Sequence, residues 1–327
     1  MTTTSDRPQT DELAEQAVPA PDRAPRRRPS RRRDADLPDR GLLSSSDRKR
    51  LSVRWTMTPL QWVMFVVVTA LSVLPLLWLA KSAISPTQEI LREPFRLWPS
   101  EVQWSNFSEA WTTMSVGRYM WNTLVLTGGS VVVQVFVAAT LSFGIAVLRP
   151  AYGKVVYALV LATLLLPPTV SLIALYLTIL DLPLLGLNLQ NTVWAIWLPA
   201  GVHGFSVLLC VRFFQGIPRE LFEAAQIDGA GPWTIFQRIV LPMSRPILAV
   251  ISLLAVMNSW KDFLWPLIAV PDTDRRPITV ALSIVARSVE ENLLFAGLLI
   301  ATLPPVLLFI IFQRQIVRGA GFTGLKG

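Results

Sequence analysis

Few residues in this sequence have the type and spacing that chemistry needs. His203 is the only histidine and Cys210 the only cysteine, so neither a multi-histidine metal site nor an internal disulfide can form. Both lie in one apolar run. There His203 reads as a hydrogen-bonding residue between packed helices, and Cys210 as plain packing. No G-x-x-x-x-G-K-[ST] stretch is present; the nearest approach, Gly319 to Gly327, has no strand before it. With no nucleophile–base pair and no phosphate cradle, the chain is expected to be no enzyme and to hold no cofactor. The polar residues that stand out are Asn258, Lys261 and Asp262, flanked by Trp260 and Trp265 in an otherwise apolar stretch. Ionisable groups in such a setting face a bundle interior or an aqueous path. Amide, carboxylate and aromatic faces together suit a hydroxyl-rich solute. Asn258, Trp260 and Asp262 are therefore substrate-path candidates. Packing and hydrogen bonding against neighbouring helices explains Trp260 and Asp262 equally well.

A second polar stretch, Arg219 to Pro242, lies between two apolar runs. Pro218 suits the start of a helix. Glu223, Ala224 and Ala225 follow, and Gly229 can take the left-handed geometry that ends one. Pro232 can start a second short helix with Trp233, Phe236 and Ile239 at helical spacing, which Pro242 should stop. Two short helices bent at glycine, with small side chains on the first, make a docking knob. Asp228 either caps that helix or pairs nearby.

These stretches need elements to position them. Of 327 residues, 52% are hydrophobic and 16% charged, well below the charge of soluble domains, and mean hydropathy is +0.47. Apolar runs of about twenty residues, enough to cross a bilayer core, appear near 60–80, 121–147, 155–180, 193–211, 246–270 and 293–312. The expected fold is an all-α polytopic membrane protein with six transmembrane helices and a two-helix cytoplasmic loop between spans four and five. Residues 1–55 are rich in Pro, Arg, Asp and Ser and read as a disordered basic cytoplasmic tail; residues 56–327 form the six-span domain. Arg31-Arg32-Arg33 does not read as an export signal, because the next apolar run begins near Leu60. The net charge of +8 belongs to that tail and to short basic loops, which suits contact with membrane lipid rather than nucleic acid. Arg149 and Lys154 lie between spans two and three. Arg212, Arg219, Arg238 and Arg245 frame the Arg219–Pro242 stretch, and Arg314, Arg318 and Lys326 follow the last span. These charges put both termini in the cytoplasm. Arg275, Arg276 and Arg287, in the outer segment 271–290, run against that bias.

Outside, residues 81–120 carry Trp98, Trp104 and Trp111, which suit interfacial anchoring together with Trp121. Gly128, Gly129, Gly144, Gly201 and Gly204 suit close helix crossings. Pro167-Pro168 is expected to kink or break the third span.

Glu223, Ala224, Ala225, Gly229, Ile239, Leu241 and Pro242 together resemble the signature loop of permease subunits of binding-protein-dependent ABC importers. Asn258 to Leu267 is similar to the W-N-[ED]-F-L-W-P-L segment of the carbohydrate-importing branch, with Lys261 departing from the usual asparagine. Gly319 to Gly327 resembles that branch's glycine-rich ending. The resemblance covers roughly residue 60 to the C-terminus. It implies a permease subunit in a bacterial inner membrane, working with two ABC ATPase subunits, an external solute-binding protein and a second permease subunit expected to be non-identical. ATP hydrolysis would occur on the separate ATPases, coupled through Glu223, Ala224, Ala225, Asp228 and Gly229, and the cargo would be a sugar. The segment 271–277 would be either a face toward the binding protein or a solvated turn. The alternatives are the same machinery carrying glycerol phosphate, an amino acid or a peptide, and an ATP-independent secondary transporter.

Overall fold

The computed structural model describes residues 51–321, with side chains from Pro59 to Gln313. The tail expected over 1–55 lies outside them up to residue 50, as does the ending beyond Gly321. Among the described residues every regular element is helical, apart from one isolated bridge between Leu182 and Leu187. The chain divides into two units between Thr69 and Ala70. The described part of the first carries Leu60 to Val68, an apolar stretch whose large side chains are all exposed.

Helix α1 runs Leu51–Ala83. It starts five residues before the expected boundary at 56, and no proline or glycine interrupts 51–58. The expected outer segment holds α2 (Thr87–Arg92) and α3 (Ser105–Thr113). α4 (Val116–Phe143) begins at Val116 rather than 121, and its last turn, Gly144–Leu148, widens to a π-helix before Arg149 and Pro150 stop it. α5 (Gly153–Thr163) and α6 (Pro168–Leu180) meet at 111°. Here the two prolines break the span rather than kink it: Pro167 is extended at ψ 132° and Pro168 opens the new helix. α7 (Trp194–Gly201) and α8 (Gly204–Gln215) bend by 43° at Val202–His203.

α9 (Arg219–Ile227), α10 (Pro232–Ile235), a π turn (Phe236–Val240) and α11 (Leu241–Met243) form the polar stretch. α12 (Arg245–Lys261) leaves it at 76°. The fifth run, expected as one span over 246–270, breaks at Asp262–Phe263, and α13 (Leu264–Ala269) follows as a separate short helix. The expected outer loop 271–290 contains α14 (Ile278–Val285), and α15 is Glu291–Gly321. Among the described residues three stretches are long and apolar enough to span a membrane alone: Pro59–Ala83, Val116–Leu148 and Glu291–Gln313. Three bent pairs bring the possible spans to six.

Three apolar clusters sit in the second unit. One joins the end of α4 to α8, α10 and α12 through Phe143, Val211, Phe214, Phe236 and Ile251; Cys210 is fully buried in it. A second gathers Ala110, Val116, Tyr119, Ile278 and Ala296. The third packs Leu126, Ile196, Trp265 and Val270. Glycine matters most where α4 meets α7: a Cβ on Gly129 would lie 1.9 Å from Trp197, whose indole N–H donates to the Leu126 carbonyl at 3.1 Å. Gly201 and Gly204 are also tightly faced, but Gly128 and Gly144 have nothing within 4 Å and take no part in such a crossing.

Candidate functional site

The Arg219–Pro242 stretch is an elbow built from the end of α8. Ile217 is buried and Pro218, extended at ψ 133°, turns the chain into α9. Gly229 sits at φ +81°. Its N–H donates to the Gln226 carbonyl at 3.0 Å, and the Ala230 N–H donates to Ala225 at 2.8 Å. Those two bonds close the glycine C-cap in which the last helical carbonyls are satisfied, so the bend is specified by the backbone. Gly231 and Pro232 then start α10, with the proline at the first helical position.

Pro242 does not stop this second arm. The preceding π turn gives the Leu241 N–H a partner five residues back, at Phe236, and the helix runs through Pro242 to Met243. A widened turn accommodates the missing N–H of proline. The break falls instead at Ser244, buried at φ −92°, ψ 1°.

The tip divides by face. No residue of α9 is fully buried. Phe222 and Ala225 pack against the cluster that holds Phe236 and Val240, while Glu223, Ala224, Ile227 and Asp228 are exposed. The expected small-residue pair is therefore split: Ala225 seats the helix on its own fold and Ala224 faces outward. Asp228 terminates α9, its N–H donating to Ala224 at 3.0 Å. Between the arms lies a notch of about 390 Å³ where Asp228 and Arg238 face the same space as Gly229 and Thr234. Arg238 and Thr234 were not among the expected site residues; nothing in their spacing marks them, because the fold of the elbow brings them there.

α8 couples the elbow to the bundle. Gln134 of α4 donates to the Ser206 hydroxyl at 2.7 Å, both buried, and the Ser142 hydroxyl donates to the Val207 carbonyl at 3.1 Å. His203, at the α7–α8 bend, places Nδ1 3.1 Å from the same Ser206 oxygen. The contact is local, three residues along the start of α8, and it is Ser206 rather than His203 that bonds to α4.

The substrate-path candidates separate in the structure. Trp260 is buried, and its indole N–H donates to the Ala301 carbonyl of α15 at 3.3 Å, which is packing between helices. Ser259 reaches Thr127 of α4 at 3.3 Å. Asn258 and Lys261 are exposed. Asp262 is half-buried at the α12–α13 break, with its carboxylate toward the Trp265 N–H at 3.5 Å and its carbonyl accepting from Thr279 at 3.1 Å. Trp265 donates its indole N–H to Ala195 at 3.1 Å.

At the other end of the bundle, 271–277 is tied down. Asn122 donates to the carbonyls of Asp274 and Arg276 at 2.7 and 3.1 Å, and Arg275 donates to the Asn191 carbonyl at 2.8 Å. Arg118 pairs with Asp274. The amide of Asp274 and the side chain of Asn191 hold the Asp272 carboxyl below its ordinary range, with Arg275 and Arg276 adding to that. Of the three arginines that run against the charge bias, Arg275 and Arg276 are spent on local partners, Arg276 donating to the Pro271 carbonyl at 2.5 Å. Among the described residues no group of His, Cys, Asp and Glu could hold a metal ion.

Comparison with known proteins places this architecture. The chain is 32% identical over 270 residues to the probable ABC transporter permease protein YurM of Bacillus subtilis (strain 168), covering 81% of this chain and 88% of that one. It is 29% identical over 279 residues to a diacetylchitobiose uptake system permease protein of Streptomyces coelicolor, covering 84% and 88%. The crystal structure of a bacterial ABC transporter involved in the import of the acidic polysaccharide alginate has the same fold. It superposes with a TM-score of 0.72 at 19% identity, over 84% of this chain and 99% of that one. Residues 137–321, more than half the sequence and including the whole elbow, match the binding-protein-dependent transport system inner membrane component family. The chain belongs to that family of multi-pass membrane permeases.

Proposed function

We propose that this chain is one of two membrane-spanning subunits of an ATP-driven importer for a sugar, with ATP hydrolysed on two separate ATPase subunits. The observation that carries the reading is the glycine-capped elbow, which presents Glu223 and Ala224 outward while Phe222 and Ala225 seat it on the core. A lever transmits work only if it is stiff and firmly based, because a loose one gives no differential energy between two states. Glu223 and Asp228 supply polar anchors for the ATPase, Ala224 a surface of close approach, Ala225 the seat and Gly229 the bend. The three single spans, the bent pairs α5–α6 and α7–α8, and α12 make six crossings, with both termini and the elbow, α9 to α11, in the cytoplasm. An external binding protein delivers the solute. The cargo class rests on the diacetylchitobiose permease relative and on the Asn258–Leu267 segment. Asn258 and Asp262 line the path, and Trp260 holds α12 against α15. The second permease, non-identical to this one, covers the exposed polar face of α12 that includes Asn258.

The test is reconstitution of the complex in liposomes with the binding protein outside and ATP within. Sugar uptake should require the ATPase subunits and should persist when ion gradients are collapsed. Uptake by the permease without ATPase subunits would refute the proposal.

A further inference from the structure

The loop from Leu91 to Trp98 presents its apolar residues outward. Phe95 is 90% exposed, Leu97 91% and Trp98 69%, with Arg92 and Arg96 beside them. Exposure of this kind costs stability in water unless something covers it.

The loop is nonetheless held in place. The Trp78 indole N–H donates to the Pro94 carbonyl at 2.9 Å, and the Trp78 ring packs edge-on against Phe295 at 5.1 Å. Behind the loop, the Glu89 carboxylate accepts from the Ser100 amide at 2.8 Å and the Ser100 hydroxyl at 2.6 Å. The same carboxylate faces Lys81 at 3.5 Å in a pair that is almost wholly buried. The Gln103 N–H donates to Ile84 at 2.9 Å. Both ends are therefore fixed.

Trp78 also sets the depth. No charged residue occurs from Trp55 to Ala80, and Lys81 ends that run. Trp78 lies three residues before Lys81, about 4.5 Å along a helix. The carbonyl bonded to it therefore lies near the end of the apolar run, the level at which aromatic side chains and arginines suit a bilayer interface.

We propose that Phe95, Leu97 and Trp98 form an interfacial anchor that inserts into the headgroup–acyl boundary of the outer leaflet, with Arg92 at the phosphates and Arg96 held beside it by Glu93 and Glu89. The exposed Arg92 suits phosphate oxygens. The word outer rests on the orientation proposed above; contact with lipid does not.

The test uses the full chain, assembled with its partner subunits in nanodiscs, carrying Leu97→Cys labelled with an environment-sensitive fluorophore. Cys210 is fully buried, and the unsubstituted chain serves as the labelling control. A reference label is placed at Asp181→Cys, an exposed charged position. At 97, emission should shift to the blue and be quenched by a lipid bearing a nitroxide high on its acyl chain. Quenching by iodide should fall several-fold below that at 181. Strong iodide quenching at 97 with no lipid quenching would overturn the anchor. So would shielding that appears only when the binding protein is added, which would make the loop a protein contact. Labelling of Asp181→Cys in intact cells with an impermeant maleimide tests the orientation separately. Failure there would leave lipid contact at 97 standing.

Discussion

Replacing Gly229 separates a bend that must form from a side chain that must touch. At φ +81° an L-residue costs about 1–2 kcal/mol. No atom lies within 4 Å of a Cβ built there, so Gly229→Ala is charged for the backbone alone. A shift of that size changes the ratio of bent to unbent elbows about 5- to 30-fold, and Gly229→Asn should lose less because asparagine tolerates this geometry. Gly229→Pro is different in kind. It removes the N–H given to Gln226, worth about 1 kcal/mol, and locks φ near −65°, where this bend cannot exist. ATP-dependent uptake in liposomes, with co-purification of the ATPase subunits as a second readout, should therefore rank glycine, asparagine, alanine and proline in that order. The proline variant should stay in the membrane with coupling abolished. Full uptake by the proline variant would refute the stiff-lever reasoning. Equal loss with alanine and proline would show that the position acts through its surface rather than its bend.

The two adjacent glycines of α4 should behave unlike each other. Gly129→Ala drives a Cβ into Trp197 and should cost about 1–3 kcal/mol, read as a lower melting temperature in detergent, while Gly128→Ala should stay within about 0.5 kcal/mol. Ala225→Trp overpacks the seat of α9 on its own core; the protein should still reach the membrane, and ATP-dependent uptake should be lost. Trp260→Phe gives up the bond to Ala301 and should lower stability by about 1 kcal/mol without changing the sugar concentration for half-maximal uptake. The Ser100 hydroxyl, then its amide, then Arg96 and Lys81 hold the Glu89 carboxyl below its ordinary value of 4.5. A carboxyl depressed in the folded state stabilises above the unfolded value, and that contribution is lost as pH falls through the folded one. Fluorescence from a label at Leu97→Cys should thus hold steady down to pH 4.5 and change below it, and Glu89→Gln should remove the transition.

The elbow was largely legible in the sequence because its determinants are local. A proline at the start of each arm and a glycine at the bend act through their own backbone torsions. The π turn was not legible, since Phe236 to Val240 look like ordinary helix, and only its widened bonding explains how Pro242 is tolerated. The break in the fifth run at Asp262–Phe263 was equally hidden. Hydropathy averages over twenty residues and does not register one extended peptide. The prolines at 167 and 168 did announce a disturbance, but their spacing did not choose between a kink and a 111° turn. The division of Ala224 from Ala225, and the burial of Trp260 beside an exposed Asn258, depend on which face of each helix meets the bundle.

Composition and period alone determined that this is a helical membrane protein, where apolar runs begin and end, and where a polar stretch interrupts them. They could do so because a bilayer requires every backbone group to be satisfied within a helix over a fixed length. Tertiary packing decided which helices break, which small residues are pressed against aromatic rings and which polar groups are used up on neighbours. Those outcomes depend on contacts between residues such as Gln134 and Ser206 or Trp78 and Pro94, far apart in the chain and brought together only by the fold.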